Sequence, residues 1–166
     1  MNSVIDFLKE MLVYIIIIVI VILIKKFIFT PIKVNGPSMN DTLHDGDIMI
    51  LDEISYRFKD IKRFDIVVIK YQDEFIIKRV IALPGETVEF HNNKLYINGE
   101  YVKEDFNYKK TLDFDKVRVP KDCYFVLGDN RVNSVDSRMI GPVKKSDIRG
   151  HARLTLFPFN RFGNKK

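Results

Sequence analysis

The chain has 166 residues, 27 Lys or Arg against 22 Asp or Glu, a formal net charge of +5, and 46% hydrophobic residues. That is about one domain on length alone. The balance excludes an acidic disordered chain and a collagen-like repeat, and a lone Cys123 excludes an internal disulfide framework or a Cys-rich zinc site. These averages conceal a split at residue 29. The 137 residues beyond it carry 24 basic and 20 acidic side chains, enough chain to bury one core.

The first element is Met11–Ile24, 14 residues without a charge and mostly Ile, Val or Leu. As a helix it spans about 21 Å, against roughly 30 Å of bilayer hydrocarbon. Phe27, Ile28 and Phe29 extend it to 19 residues when Lys25 and Lys26 snorkel to the interface. A cleavable leader is disfavoured because Asp6, Lys9 and Glu10 mix the charges before the run. Nor does Ile28-Phe29-Thr30-Pro31 offer a small-x-small site. A buried core helix would carry an apolar stripe, whereas this run is apolar all round. The expectation is a single membrane anchor over residues 1–29, followed by one domain over 30–166. Lys25, Lys26 and Lys33 alone would keep that domain in the cytoplasm by the positive-inside bias, which large domains can overrule.

Beyond residue 29 the chain reads as β. Ile48–Leu51, Ile66–Tyr71, Phe75–Leu83, Val88–Phe90, Leu95–Ile97, Val117–Val119 and Tyr124–Leu127 are short runs rich in Ile, Val, Phe and Tyr. Turn signals such as Pro84-Gly85, His91-Asn92-Asn93 and Asn98-Gly99 separate them, and Val88–Ile97 reads as a hairpin. The expected fold is mainly β, a compact coiled sandwich or barrel. Residues 103–116 are polar and patternless, and a surface loop is expected there.

Few residues offer chemistry. His44, His91 and His151 are far apart and lack metal-ligand spacing, so no metal is expected. There is no glycine-rich phosphate loop, no cofactor motif and no basic run suited to nucleic acid. Three segments remain. In Asn35-Gly36-Pro37-Ser38-Met39-Asn40-Asp41, Gly-Pro makes a bend that presents Ser38, although Ser38-x-x-Asp41 also matches a helix capping box. In Phe75–Gly85, Lys78 shares a strand face with Ile76, Val80 and Ala82. A desolvated lysine there can act as a base, or it can sit at a sheet edge and deter pairing. Gly128–Arg138 packs Asp129, Arg131, Asp136 and Arg138 beside Ser134 and Ser137, a density suited to a rigid, paired loop. A serine nucleophile needs a base within reach, and with no suitable histidine the lysine is the available one.

These three segments, in this order and behind an anchor, resemble bacterial type I signal peptidases along the whole chain. Gly-x-Ser-Met around Ser38 resembles the nucleophile box of that family, and Lys78-Arg79-Val80-Ile81-Ala82-Leu83-Pro84-Gly85 its general-base box. Gly128-Asp129-Asn130-Arg131 with Ser134-x-Asp136-Ser137-Arg138 resembles its most specific box. The resemblance implies Ser38 as nucleophile, Lys78 as general base, and Ser134 as the hydroxyl that hydrogen-bonds and orients the lysine. It implies that Asp129, Arg131, Asp136 and Arg138 brace the site by ion pairs, and that the Ser38 N–H serves an oxyanion hole. It further implies a domain outside the cytoplasm, signal peptides of exported preproteins and membrane lipid as partners, no cofactor, and the coiled β fold shared with self-cleaving repressors.

Three features depart from the pattern. Asp41 stands where the family often has Pro, either weakening the site or capping the following turn. Gly36 stands where some members carry a serine that completes the oxyanion hole. The segment between boxes is short, so this is a minimal member, and lysine rather than histidine at 78 matches the bacterial form. Two other readings stay open at this stage: a self-cleaving or narrow-range protease of the same fold, and a catalytically weak paralogue that binds signal peptides or assists an active peptidase.

Overall fold

The computed structural model describes residues 2–27, 30–106, 108 and 110–165, with side chains except those of residues 2–5, 23–27 and 57. In chain order the elements are α1 (Asn2–Phe27), β1 (Thr30–Lys33), β2 (Ile48–Asp52), α2 (Ser55–Phe58), β3 (Ile66–Tyr71), β4 (Glu74–Ala82), β5 (Thr87–His91), β6 (Lys94–Ile97), β7 (Glu100–Val102), β8 (Phe114–Arg118), β9 (Cys123–Leu127), α3 (Ser137–Ile140), β10 (Val143–Lys144), β11 (Ile148–Phe157) and β12 (Gly163–Asn164).

The N-terminal run forms one helix, and its described side chains, Asp6 to Ile22, are all exposed. Among the described residues no helix is long and apolar enough to cross a membrane. The expected snorkelling pair Lys25 and Lys26, the side chain of Phe27, and Ile28 and Phe29 lie outside those described.

Two antiparallel sheets make up the rest. The larger runs β1-β2-β11-β3-β4-β9-β10 with β12 on β11, and the smaller runs β7-β6-β5-β8. The strand runs at Ile66–Tyr71 and Phe75–Leu83 fold as read, as β3 and β4. The Val88–Ile97 hairpin closes through Asn92 and Asn93, both at positive φ (53° and 58°), as a tight two-residue hairpin turn requires. β3 is apolar without alternation because both its faces are covered. Ile66 and Val68 pack with Met39, Leu43 and Met49 on one side, while Val67 and Ile69 pack with Val80 and Val126 on the other. A third cluster joins the small sheet, through Val88, Phe90 and Leu95, to Phe125 and Leu127 of β9.

Two pairings set the site. β4 pairs β3 from Glu74 to Arg79, yet pairs β9 only from Arg79 onward. The chain leaves the sheet after Leu127, so the Glu74–Lys78 half of β4 keeps one open edge. β1, bonded only to β2, presents a second open edge. The surface loop expected over residues 103–116 holds in part: Lys103, Asp105, Lys110, Leu112 and Asp113 are exposed, but the Glu104 side chain and Thr111 are buried and Phe114 opens β8.

Candidate active site

Ser38 stands in a string of tight turns between β1 and β2. Gly36 (φ +84°) makes the bend. The turns close through Asn40 N–H to Pro37 O (3.0 Å) and Leu43 N–H to Met39 O (2.8 Å). Met39 and Leu43 are fully buried and pin the turn to the core, leaving Ser38 half-buried above it. No helix follows, so the capping-box reading fails. Asp41 is exposed, sits at φ +90° and makes no side-chain hydrogen bond among the described residues, so it caps nothing. The Ser38 N–H likewise has no partner among the described residues.

Lys78 occupies the last position of the open half of β4 and is 2% exposed. Ile76 and Val80 share an apolar cluster beside it. Ala82, expected on the same face, lies past a bulge between Val80 and Ala82 and joins the cluster under the small sheet. Lys78 Nζ lies 2.8 Å from Ser38 Oγ and 3.0 Å from the Ile77 carbonyl. Burial pushes its pKa down to about 8, against the opposing pull of Asp136 and Asp129.

The loop after β9 closes over this pair. Asn130 donates its backbone N–H to Ser38 O and its Nδ2 to Pro37 O, both at 3.0 Å, tying the loop to the Ser38 turn. Gly128 is required by contact: a Cβ there would meet Ser134 Oγ at 2.3 Å and Ser38 O at 2.5 Å. Those two distances place Ser134 Oγ within about 5 Å of the Ser38 carbonyl. The expected Ser134–Lys78 hydrogen bond is not formed. Nζ is engaged by Ser38 Oγ and Ile77 O, and the buried Ser134 Oγ has no partner among the described residues.

The charged residues brace the loop, but mostly through partners outside it. Asp129 takes both Nε (2.8 Å) and Nη2 (2.6 Å) of Arg79, and both side chains are fully buried. Thr42 donates its hydroxyl to the same carboxylate. Arg131 gives Nε to Gly128 O (3.0 Å) and Nη1 to Thr111 Oγ1 (2.7 Å), and pairs with Glu104. Asp136 alone finds its partner within the loop. It holds Arg138 through Nε (2.8 Å) and Nη2 (2.7 Å), accepts the Gly128 N–H (3.1 Å), and caps the single-turn α3. Arg79, Thr42, Glu104 and Thr111 escaped the sequence reading. Arg79 carried a signal, a second cation in an apolar strand; Glu104 sat in a segment with no pattern at all.

The open edges of β1 and β4 border a cleft of about 720 Å³ with Ser38 and Lys78 at one end. Ile32, Leu51, Val68, Ile76 and Ile77 give it an apolar part, and Lys33, Glu53, Glu74 and Arg149 line the rest. The histidines take no part: His44 is exposed, His91 pairs with Glu89, and His151 stacks on Tyr56. Among the described residues no group of three or more His, Cys, Asp or Glu side chains is arranged to hold a metal ion.

The comparisons agree with this geometry. The family described as "Signal peptidase, peptidase S26" matches residues 6–157. A signal peptidase I of Bacillus amyloliquefaciens is 40% identical over 177 aligned positions, covering 99% of this chain and 94% of that relative. Signal peptidase I S of Bacillus subtilis (strain 168) is 39% identical, covering 96% of this chain and 92% of its own. The crystal structure of a signal peptidase I from Enterococcus faecalis V583 superposes with a TM-score of 0.51 at 38% identity, over 56% of this chain and 97% of that one. A mainly β domain with these three boxes, matched at this identity along almost its full length, belongs to the signal peptidase family, peptidase S26.

Proposed function

We propose that this chain is a membrane-anchored serine endopeptidase that removes N-terminal signal peptides from exported preproteins through a Ser38–Lys78 dyad. The observation that carries the reading is a buried lysine amine 2.8 Å from a turn-presented serine hydroxyl. With a pKa of about 8, roughly one lysine in ten is neutral at pH 7, against about one in a few thousand for a free lysine. Neutral Nζ accepts the Ser38 proton as Oγ attacks the scissile carbonyl. The resulting ammonium protonates the leaving amine, and the acyl-enzyme is released by a water that Lys78 deprotonates. The unpartnered Ser38 N–H is available to the oxyanion, and Gly36 adds no side-chain donor. Ser134 Oγ, buried without a partner, is available to steady Nζ once Ser38 has given up its proton.

Two open strand edges facing one cleft, part apolar and part charged, suit an extended substrate added as a strand. Ile76 and Ile77 beside the dyad offer apolar contact to the side chains before the scissile bond. The uncharged Met11–Ile24 run of α1 serves as the anchor, which keeps the site near the bilayer that holds the substrate's apolar core.

The test is incubation of the full chain in detergent with a preprotein carrying a small-x-small site, with mass spectrometry of the products. Cleavage at that site is expected. Ser38→Ala, Lys78→Met and the double variant should lose activity to similar extents, since residues acting as one unit are not additive. Preprotein left intact by wild type, under conditions where a Bacillus relative cleaves it, overturns the reading. So does a folded Lys78→Met variant with near wild-type turnover.

A further inference from the structure

The segment between β7 and β8 does something its composition does not announce. Glu104 and Arg131 pair with side chains 1% and 0% exposed. Thr111, also buried, takes Arg131 Nη1, and the Tyr108 ring lies 4.4 Å from the Arg131 guanidinium carbon. The Phe106 ring lies 3.9 Å from that of Arg79 and 5.9 Å from that of Arg131. Glu104, Phe106, Tyr108 and Thr111, one strap of the chain, therefore cover both buried guanidiniums, and each guanidinium leads onward to the dyad. Arg131 holds the Gly128 carbonyl, and Gly128 is the residue against which Ser134 Oγ and Ser38 O are packed. Arg79 holds Asp129, next to the Asn130 that bonds Ser38 O.

We propose that this strap is a positioning element of the peptidase site, with Glu104 as its key residue; the inference rests on the function proposed above. Glu104 supplies the countercharge that lets Arg131 stay buried and donate to Gly128 O. Removing it leaves a guanidinium buried and unpaired, which breaks its buried contacts to reach solvent. The Gly128 carbonyl is then released, and with it the spacing of Ser134, Ser38 and Lys78. Misplacement by about 1 Å at reacting groups costs as much as ~10²-fold in rate. None of the described strap residues lines the cleft, so the effect falls on turnover and not on substrate binding.

The experiment measures preprotein cleavage by the full chain in detergent, with active sites counted from the first-turnover burst and folding followed by thermal melting. Glu104→Ala is expected to lower kcat per active site about 30-fold or more, to leave KM within about threefold, and to displace the pH limb of kcat. Glu104→Gln keeps an acceptor but not the charge, and should fall about tenfold; it decides the matter if the alanine variant does not fold. Glu104→Asp should recover part of the rate. A strap that is only structural would reduce the number of burst-competent molecules while leaving kcat per site and the pH limb unchanged, and that result overturns the proposal. Wild type that cleaves no preprotein overturns the function and the strap together, whereas wild type that cleaves beside unaffected Glu104 variants overturns the strap alone.

Discussion

At Lys78, burial opposes the ammonium while Asp136 and Asp129 favour it, and burial wins. The fall from 10.5 to about 8 corresponds to about 3 kcal/mol of destabilisation when the group is charged. The unfolded chain keeps its proton up to about 10.5 while the folded chain gives it up near 8, so between these values the unfolded state binds more protons and stability rises with pH. The penalty is therefore complete below about pH 8 and gone above about 10.5. Lys78→Met, similar in length and uncharged, should be more stable than wild type by about 1–3 kcal/mol at pH 6.5, and the difference should shrink by pH 9.5. Urea unfolding at the two pH values measures it, and a gap that does not narrow refutes the account. Ser38 and Lys78 were legible because each broke a local pattern, a hydroxyl in a Gly-Pro bend and a charge in an apolar strand. The partners of Asp129 and Arg131 were not, since ion pairs between residues 50 and 27 positions apart leave no periodic trace.

At the scale of elements, the Ser38 turn holds backbone strain. Asp41 at φ +90° is held by its neighbours in a region that L side chains with a Cβ disfavour. Asp41→Gly should raise the thermal unfolding midpoint, by up to about 1 kcal/mol in stability, with cleavage retained. Asp41→Pro, the residue common in the family, fixes φ near −65° and should cost about 3 kcal/mol and most of the activity by displacing Ser38. A proline variant as stable and active as wild type would show that the turn reaches its geometry another way. The strands differ in how plainly they were written. β9 and most of β3 are continuous apolar runs because neighbours cover both faces, and β4 breaks that pattern only at Glu74, Lys78 and Arg79. β11, ten residues long and central between β2 and β3, was missed. Its bulges near Gly150, between Ala152 and Leu154, and between Thr155 and Phe157 shift the phase, so the buried positions 150, 152 and 155 do not alternate. Gly150 and Ala152 also carry little of the apolar signal that marks a strand. Gly150 is small for a reason, because a Cβ there would lie 2.6 Å from Asp52 O.

On the scale of the whole molecule, charge and chemistry point in opposite directions. Lys25, Lys26 and Lys33 follow the apolar run, and residues 30–166 carry a net +4, a pattern that favours retention in the cytoplasm. The function proposed above instead calls for the Ser38–Lys78 pair at the outer face. The surface offers a further argument. Phe157, Phe159 and Phe162 are exposed by 49%, 81% and 61%, and Ile48 pairs with both Phe157 and Lys33. This apolar patch thus lies beside β1, the first strand after α1, where a bilayer surface would meet it. Their exposure excludes a place for these three phenylalanines in the core. Intact spheroplasts expressing the full chain, treated with an external protease, should lose the 30–166 domain, whereas lysed spheroplasts should lose it whether it lies inside or outside. Complete protection in the intact cells would place the domain inside. It would also remove the dyad from the face of the membrane where the proposed substrate is cut.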